Sequence, residues 1–233
     1  MNRFEIAGLT VDMDPHMSML KNRARHYANH KAGEADITIP YREEWYREKS
    51  KLHPTLTFEE NEYVWSGEEF YLKLLLFRGF MLHASAVVYD GNAYLFSAPS
   101  GTGKSTHTSL WLQRYPGSYI LNDDKPAIRL LDRKFYACGT PWSGKYDISR
   151  NELVPVAGLA FIERDEANRI TTMSSHTALF KLLSQTVRPY DPRFMDKLLD
   201  LLDVFLTEVP IYYLGCNITM EAPETAYNAM KKR

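Results

Sequence analysis

Hydrophobic and polar residues follow two different patterns along the chain, and the change comes near residue 80. Residues 1–80 hold one short strand candidate, residues 4–11, and then charged segments with helical spacing. Over residues 58–80, Phe70, Leu74 and Phe77 are spaced to share one helix face. We therefore predict a mostly helical amino-terminal segment, residues 1–80, that packs on the rest of the chain.

Strand patterns begin at residue 81 and alternate with helical patterns from there on. Residues 81–98 predict a β-hairpin that turns at Asp90-Gly91, a dipeptide that tolerates the positive φ of a tight turn. We expect residues 169–173 to pair with a buried strand at residues 156–163. The other predicted elements are a hairpin at 127–138, strands at 118–121 and 211–214, and helices at 106–114, 176–187, 192–208 and 223–231. This order predicts an α/β fold with a mixed β core and flanking helices.

The segment APSGTGKST, residues 98–106, lies between a predicted strand and a predicted helix. The Walker A pattern requires Gly, four residues and then Gly-Lys-Ser/Thr, and here only the first glycine is missing, since Ala98 takes its place. Glycines let backbone N–H groups approach phosphate oxygens, and the following helix adds its positive end. Lys104 is expected to reach the β- and γ-phosphates, and the Ser105 hydroxyl to bind Mg²⁺. The predicted nucleotide-binding residues are Ser100, Gly101, Thr102, Gly103, Lys104, Ser105 and Thr106.

The alternative for this segment is a serine- and glycine-rich turn with a chance Gly-Lys-Ser. Its place between a strand and a helix favours the phosphate-binding interpretation. We therefore predict that residues 81–233 form a nucleotide-binding domain.

Two adjacent aspartates, Asp123 and Asp124, follow the next predicted strand. A carboxylate in this position is the usual partner of a phosphate-binding loop, because it holds or orients the metal. Successive side chains of a strand point to opposite faces, so two aspartates at its end can do two tasks, one on the metal and one at the acceptor. An ordinary acidic turn is the alternative.

Residues 83–188 resemble the catalytic domain of HPr kinase/phosphorylase and, more distantly, phosphoenolpyruvate carboxykinase. The similar blocks are the Ser-Gly-Thr-Gly-Lys-Ser loop, the Asn-Asp-Asp strand end and His83 before the loop, together with Leu-His-Ala-Ser-Ala-Val, Asp-Asp-Lys-Pro and Gly-Thr-Pro-Trp-Ser-Gly. The resemblance is closer still to the small stand-alone HPr-kinase-like proteins of bacteria, some found with peptide-modification systems, which share the last three of these blocks.

The resemblance implies a mixed core of the HPr kinase type and a phosphotransferase that uses ATP and Mg²⁺. Asp123 would be the catalytic base, Asp124 would join Ser105 on the metal, and the two aspartates could exchange roles. Lys104 would neutralise phosphate charge, and His83 would orient the base or the transferred phosphoryl group. For His83 the alternative is a histidine satisfied within the core. The resemblance also allows that the chain forms a homo-oligomer.

The composition of the chain argues against nucleic acid and membranes as binding partners. The formal net charge is -1, so no overall positive field draws the chain to nucleic acid or to an anionic membrane. The longest apolar stretch, residues 71–82, is interrupted by Lys73, Arg78 and Gly79 and is too short to span a bilayer. Cys138 and Cys216 lack metal-ligand spacing. A cytoplasmic protein without nucleic-acid or membrane partners is expected.

These observations predict an ATP-dependent kinase that phosphorylates a hydroxyl, with serine of a peptide or protein as the expected acceptor. A nucleotide-binding regulatory or assembly module and a kinase of a small hydroxylated metabolite are the alternatives; the paired aspartates favour an enzyme. Three further candidates are weaker. The loop at residues 139–145 contains an exposed-looking tryptophan and is expected to close over the phosphates or to shape the acceptor site; the alternative is a plain β-turn with a core tryptophan. Arg164 and Arg188 stand at element ends where a guanidinium could meet a phosphoryl group. Aromatic residues of the amino-terminal segment could grip a peptide or simply pack its helices.

Overall fold

The computed structural model of the chain describes residues 1–99 and 101–231. Within these residues it has seven α-helices: α1 (Ser18–Ala24), α2 (Glu43–Leu52), α3 (Phe58–Leu74), α4 (Lys104–Arg114), α5 (Ser175–Ser184), α6 (Pro192–Glu208) and α7 (Glu221–Met230). The strands are β1 (Asn2–Ile6), β2 (Leu9–Met13), β3 (Ile37–Ile39), β4 (Gly79–Met81), β5 (Ser85–Tyr89), β6 (Asn92–Ser97), β7 (Tyr119–Asn122), β8 (Ala127–Leu131), β9 (Lys134–Cys138), β10 (Leu153–Arg164), β11 (Arg169–Thr172) and β12 (Ile211–Cys216).

The amino-terminal segment contains a small sheet as well as helices. The sequence predicts one strand over residues 4–11, but the structure has two, β1 and β2, because Ala7 and Gly8 adopt positive φ values of 53° and 72° and reverse the chain. The alternation of buried residues continues on both sides of this turn, which hides it in the sequence pattern. Strand β3 then pairs with β2 in parallel.

Helix α3 is the longest element of this segment, and its start is fixed locally. The Thr57 hydroxyl accepts a hydrogen bond from the Glu60 N–H, and the Glu60 carboxylate accepts one from the Thr57 N–H, which forms a capping box. Phe70 and Leu74 are buried on the face that meets Trp142 and the β1–β2 sheet. The amino-terminal segment therefore shares a hydrophobic core with residues far along the chain.

A nine-stranded mixed sheet forms the centre of the described chain, in the order β4-β8-β9-β10-β6-β5-β7, with β12 on β10 and β11 on β12. Both faces are covered. Leu95 of β6 packs in the cluster that includes α5 and α6, whereas Phe96 packs in the cluster that includes α4 and α7. Because successive side chains of a strand alternate between faces, β6 is apolar along nearly its whole length.

The predicted mixed α/β arrangement with flanking helices is confirmed, and so are the hairpins at Asp90-Gly91 and at residues 127–138. One pairing was predicted wrongly. Strand β11 pairs with β12 and not with β10, because β12 lies beside β10 in parallel and separates the two. Among the described residues, no helix is both long and apolar enough to cross a membrane.

Four strands, β6, β7, β10 and β12, run in the same direction. Strands β6, β10 and β12 are parallel neighbours, and β7 shares their direction because two antiparallel pairings, through β5, connect it to β6. Their carboxyl ends therefore meet at one edge of the sheet. The glycine-containing loop, the paired aspartates, Arg164 and Asn217 all follow these ends, where open α/β sheets usually bind ligands.

Candidate functional site

The glycine loop, which we define as residues 98–103, connects β6 to α4. Ser100, one of the predicted nucleotide-binding residues, lies outside the described residues. Gly101 and Gly103 have φ values of 78° and 121°, a region that strains a residue with a Cβ atom. Glycine at these two positions is therefore a requirement of the local backbone.

Helix α4 begins at Lys104, directly after the loop, two residues earlier than the sequence pattern indicates. Its N-cap residue is Gly103, which supplies no side-chain hydrogen bond, and its first turn contains no acidic residue. The first backbone N–H groups of a helix have no partner within the helix, and together they carry a partial positive charge. This helix end is therefore suited to an anion.

A cavity of about 470 Å³ lies in front of this helix end. It is lined by His83, Pro99, Gly101, Gly103, Lys104, Ser105, Thr106, Asp123, Asp124, Gly144, Lys145 and Tyr146. Among the described residues, the structure thus brings the predicted site residues together, with the exception of Thr102. That residue lines a neighbouring cavity of about 370 Å³, with Arg164, Asp165 and Asn217.

His83 lies at the centre of a polar network in the first cavity. Its Nε2 is 3.0 Å from Oδ1 of Asp124 and 3.2 Å from Nζ of Lys104, and its Nδ1 is 2.9 Å from Oε1 of Gln185. The sequence places His83 in a strand, but it lies in the connection between β4 and β5, where Ser97 donates to its backbone carbonyl. This connection turns the ring toward the glycine loop instead of into the core.

The pKa values of the two aspartates are shifted in opposite directions. Burial raises the pKa of Asp123, and the carboxylate of Asp124 adds to that increase, against a hydrogen bond from the Gly144 N–H. Burial also acts to raise the pKa of Asp124, but the hydrogen bond from His83 and the ammonium of Lys125 outweigh it and hold this pKa well below its usual range. Asp124 is thus held as an anion, while Asp123 is the more basic carboxylate.

Lys104 is half-buried between these groups and the loop. Its Nζ donates to the carbonyl of Ala98 at 2.6 Å, which directs the side chain back over the loop. Burial lowers its pKa, and the nearby Asp124 opposes that change. The ammonium is therefore fixed at the wall of the cavity.

The loop at residues 139–145 contacts the site directly. The Gly144 N–H donates a hydrogen bond to Oδ1 of Asp123, and a Cβ atom on Gly144 would lie 2.8 Å from Oδ2 of the same carboxylate. Trp142 is a core residue, as the alternative for this loop predicts: it is 1% exposed and stacks on Phe70. The buried indole anchors the loop, so that Gly144 can approach Asp123 closely.

The amino-terminal segment holds this loop in place. Arg23 of α1 donates to the Ser143 carbonyl at 3.0 Å and pairs with Asp147 at 3.3 Å. Its guanidinium lies over the Tyr63 ring, 4.7 Å from the centroid, and the Tyr63 hydroxyl also donates to the Ser143 carbonyl. Residues of the amino-terminal segment therefore position a loop of the site.

The two arginine candidates differ. Arg164, at the end of β10, donates to the backbone carbonyls of Gly101 at 2.7 Å and Thr102 at 3.3 Å, so it supports the glycine loop from outside. Arg188 is exposed, and no hydrogen bond or ion pair joins it to the described part of the chain.

The donor groups that line the site are of the kinds that bind a nucleoside triphosphate with Mg²⁺. Mg²⁺ is usually bound by one or two carboxylates together with substrate phosphates and water, so a dense protein cage is not needed. In residues 1–99 and 101–231 no group of three or more His, Cys, Asp or Glu side chains forms such a cage. Ser105, Asp124 and Lys104 all line the cavity, so a hydroxyl and a carboxylate would be available to the cation and an ammonium to the phosphates.

Comparisons with known proteins give little beyond this geometry. No protein-family model and no curated protein sequence matches the chain. Among solved structures, the chain is similar to the Hpr(Ser) kinase/phosphatase from Coxiella burnetii, at 14% identity and a TM-score of 0.35, over 64% of this chain and 94% of that chain. A similarity at this level does not show to which family this chain belongs.

Proposed function

We propose that this chain is an ATP-dependent kinase that transfers the γ-phosphate to a hydroxyl, with serine of a peptide or protein as the acceptor. The observation that carries the proposal is the shared cavity. It combines an uncapped helix start, Lys104 and two adjacent carboxylates whose pKa values are shifted in opposite directions. Pairs of titratable groups pushed apart in this way are typical of acid–base sites.

The glycine loop and the first turn of α4 bind the triphosphate. Backbone N–H groups and the helix dipole face the phosphate oxygens, and Lys104 neutralises charge on the β- and γ-phosphates. The loop is the phosphate-binding loop of this proposal, and Gly101, Thr102, Gly103, Ser105 and Thr106 are its contact residues together with Ser100. Arg164 fixes the loop backbone through two carbonyls.

Ser105 and Asp124 are proposed to hold Mg²⁺, which when bound neutralises developing charge on the phosphates. An anionic carboxylate at neutral pH is what this task requires, and the low pKa of Asp124 supplies it. His83 then acts as a positioning residue: its contact is with Asp124, so it orients the metal ligand. Gln185 in turn fixes the imidazole through Nδ1.

Asp123 is proposed to be the general base. A base is most effective when its pKa lies near the working pH, and burial moves the pKa of Asp123 in that direction. Its Oδ1 accepts the Gly144 N–H, while no hydrogen bond from the described residues reaches Oδ2. Oδ2 is therefore the atom that takes the proton of the acceptor hydroxyl.

Incubation with γ-labelled ATP, Mg²⁺ and serine-containing peptides tests this proposal. Label should appear on serine, and Asp123→Asn should lower the rate by roughly 10²–10⁴-fold while the affinity for Mg-ATP stays within about threefold. Asp196→Asn is the matched control, since Asp196 is exposed on α6 and makes no hydrogen bond within the described chain.

Three results would contradict the proposal. Bound ATP without a labelled acceptor would indicate a nucleotide-binding regulatory module. Label on free serine but not on peptides would indicate a metabolite kinase. Full transfer by Asp123→Asn would remove this residue from the chemistry.

A further inference from the structure

Two adjoining cavities run along helix α3, outside the phosphate cavity. Their volumes are about 430 Å³ and 230 Å³, and Trp65 and Glu68 line both of them. We call the pair the α3 groove. Its outer part is also lined by Trp45, Leu72, Pro189, Tyr190 and Phe194, and its inner part by Tyr63, Tyr71, Met81, Trp142 and Val187.

The inner end of the α3 groove adjoins the paired aspartates. Lys125 lines it, and the Lys125 ammonium contacts Oδ2 of Asp124, which lines the phosphate cavity. The Tyr71 hydroxyl donates to the Lys125 carbonyl and so fixes this junction. A chain lying in the groove would thus have one end beside the carboxylates.

One carboxylate in the groove, that of Glu68, forms no ion pair within the described part of the chain. Glu69 bonds to Arg42 and Lys73 on the groove wall, and Asp191 pairs with Arg193. Glu68, by contrast, makes no hydrogen bond or ion pair with any described residue, although it is half-buried and lines both cavities. Burial of its carboxylate raises its pKa, although the nearby Lys49 and His53 act to lower it.

The surrounding aromatic rings also attract cations. The ammonium of Lys49 lies 3.7 Å from the centroid of the Trp65 ring and 5.3 Å from that of Trp45. Such contacts stabilise an ammonium or guanidinium over an aromatic face. Lys49 and Arg42 of the chain itself already lie over these two rings. The Glu68 carboxylate, in contrast, forms no ion pair within the described chain and is therefore complementary to a lysine or arginine side chain on an apolar polypeptide.

We propose that the α3 groove binds the acceptor polypeptide and that Glu68 selects a lysine or arginine of that polypeptide. This inference rests on the proposed kinase function for its biological meaning. Its physical content is a peptide-binding preference, which can be measured without any phosphate transfer.

Fluorescence anisotropy with labelled peptides tests the inference. The probes are short, otherwise uncharged peptides with one serine and one lysine, and the lysine is moved through each other position in turn. A second set carries norleucine in place of lysine, which keeps the aliphatic stem and removes the ammonium. The wild-type chain should bind at least one lysine peptide about tenfold more tightly than its norleucine counterpart.

Glu68→Gln should abolish this preference and leave the affinity for the norleucine peptides unchanged. Glu48→Gln is the control for a lost negative charge, because Glu48 is exposed on α2 and has no bonded partner in the described chain; it should keep the tenfold preference. The same peptides are then offered with γ-labelled ATP, where the preference should appear in KM.

Equal binding of lysine and norleucine peptides by the wild-type chain would overturn the inference, as would a preference that survives in Glu68→Gln. Either result leaves the kinase proposal intact if serine is still labelled. A Glu68-dependent preference without any labelled serine would support the groove and contradict the kinase proposal.

Discussion

The opposite shifts of the two adjacent aspartates predict opposite effects on stability when each is replaced by asparagine. Asp124 accepts hydrogen bonds from His83 and Lys125. Charge-assisted hydrogen bonds are worth about 1.5–3 kcal/mol each, and asparagine keeps only one side-chain oxygen as an acceptor. Asp124→Asn should therefore lower the free energy of unfolding by about 2 kcal/mol at pH 7.5.

Asp123→Asn should instead leave stability unchanged or raise it. The asparagine oxygen still accepts the Gly144 N–H, and the substitution removes a carboxylate whose charged form is disfavoured by burial. Each unit of pKa shift corresponds to about 1.4 kcal/mol. A gain of about 0–1 kcal/mol is expected at pH 7.5.

The pH dependence separates the two effects. The pKa of Asp123 is raised in the folded state, so its ionisation destabilises the fold increasingly as the pH rises from the ordinary value of 3.8 through the folded pKa. The gain from Asp123→Asn should therefore shrink as the pH is lowered toward 3.8. The pKa of Asp124 is lowered, so its contribution is present above 3.8 and is lost only as the pH falls through the folded pKa.

Urea unfolding followed by tryptophan fluorescence measures both variants against the wild-type chain across this pH range. The reasoning is refuted if Asp123→Asn destabilises the chain as much as Asp124→Asn at pH 7.5. It is equally refuted if the difference between the two variants does not depend on pH.

Three further substitutions test how the site is positioned. Gly144→Ala places a Cβ atom 2.8 Å from the Asp123 carboxylate, so the phosphate-transfer rate should fall at least tenfold while calorimetry finds the Mg-ATP affinity unchanged; an unchanged rate would show that Asp123 can move freely. Arg23→Met removes the guanidinium that holds the 139–145 loop, and kcat should fall about tenfold without a change in nucleotide affinity, whereas a loss confined to affinity would contradict this role. Gly67→Ala would bring a Cβ within 2.7 Å of the Trp142 ring, and urea unfolding should show a loss of about 1–3 kcal/mol; an unaltered midpoint would mean that the indole can shift at no cost.

Local patterns in the sequence predict most of the individual elements. The turn at Asp90-Gly91 is recognisable because this dipeptide tolerates the positive φ that both residues adopt. Apolar spacing predicts α6 at its observed bounds, whereas it places the end of α5 at residue 187 and the helix ends at Ser184. Strand partners are not local information. The prediction that β11 pairs with β10 was wrong for this reason, since β10 and β12 are both apolar and either could lie beside β11.

The residues of the candidate site also fall into two groups, those that local sequence patterns predict and those that they do not. Gly101, Gly103, Lys104 and the aspartates stand in a recognisable order, so the sequence predicts them as a group, and the structure places them around one cavity. Gln185 could not be predicted, because 102 residues separate it from His83 and a lone glutamine carries no pattern.

The sequence also could not predict that the amino-terminal segment positions a loop of the site. Arg23 and Ser143 are 120 residues apart, and one arginine among many exposed ones gives no signal. For Trp142 the sequence left an exposed loop and a core position open, and long-range packing on Phe70 decides for the core. Contacts of this kind are decided by tertiary packing, which local composition does not encode.

Titration calorimetry with Mg-ATP tests the central claim most directly, because the phosphate-binding cavity underlies every later step. The account predicts saturable binding at one site in the wild-type chain and in Lys134→Ala, which removes an exposed lysine of β9. Lys104→Ala should weaken that binding at least tenfold, since the ammonium facing the β- and γ-phosphates is lost. Absence of binding to the folded wild-type chain, or equal affinities for the two lysine variants, would contradict the account.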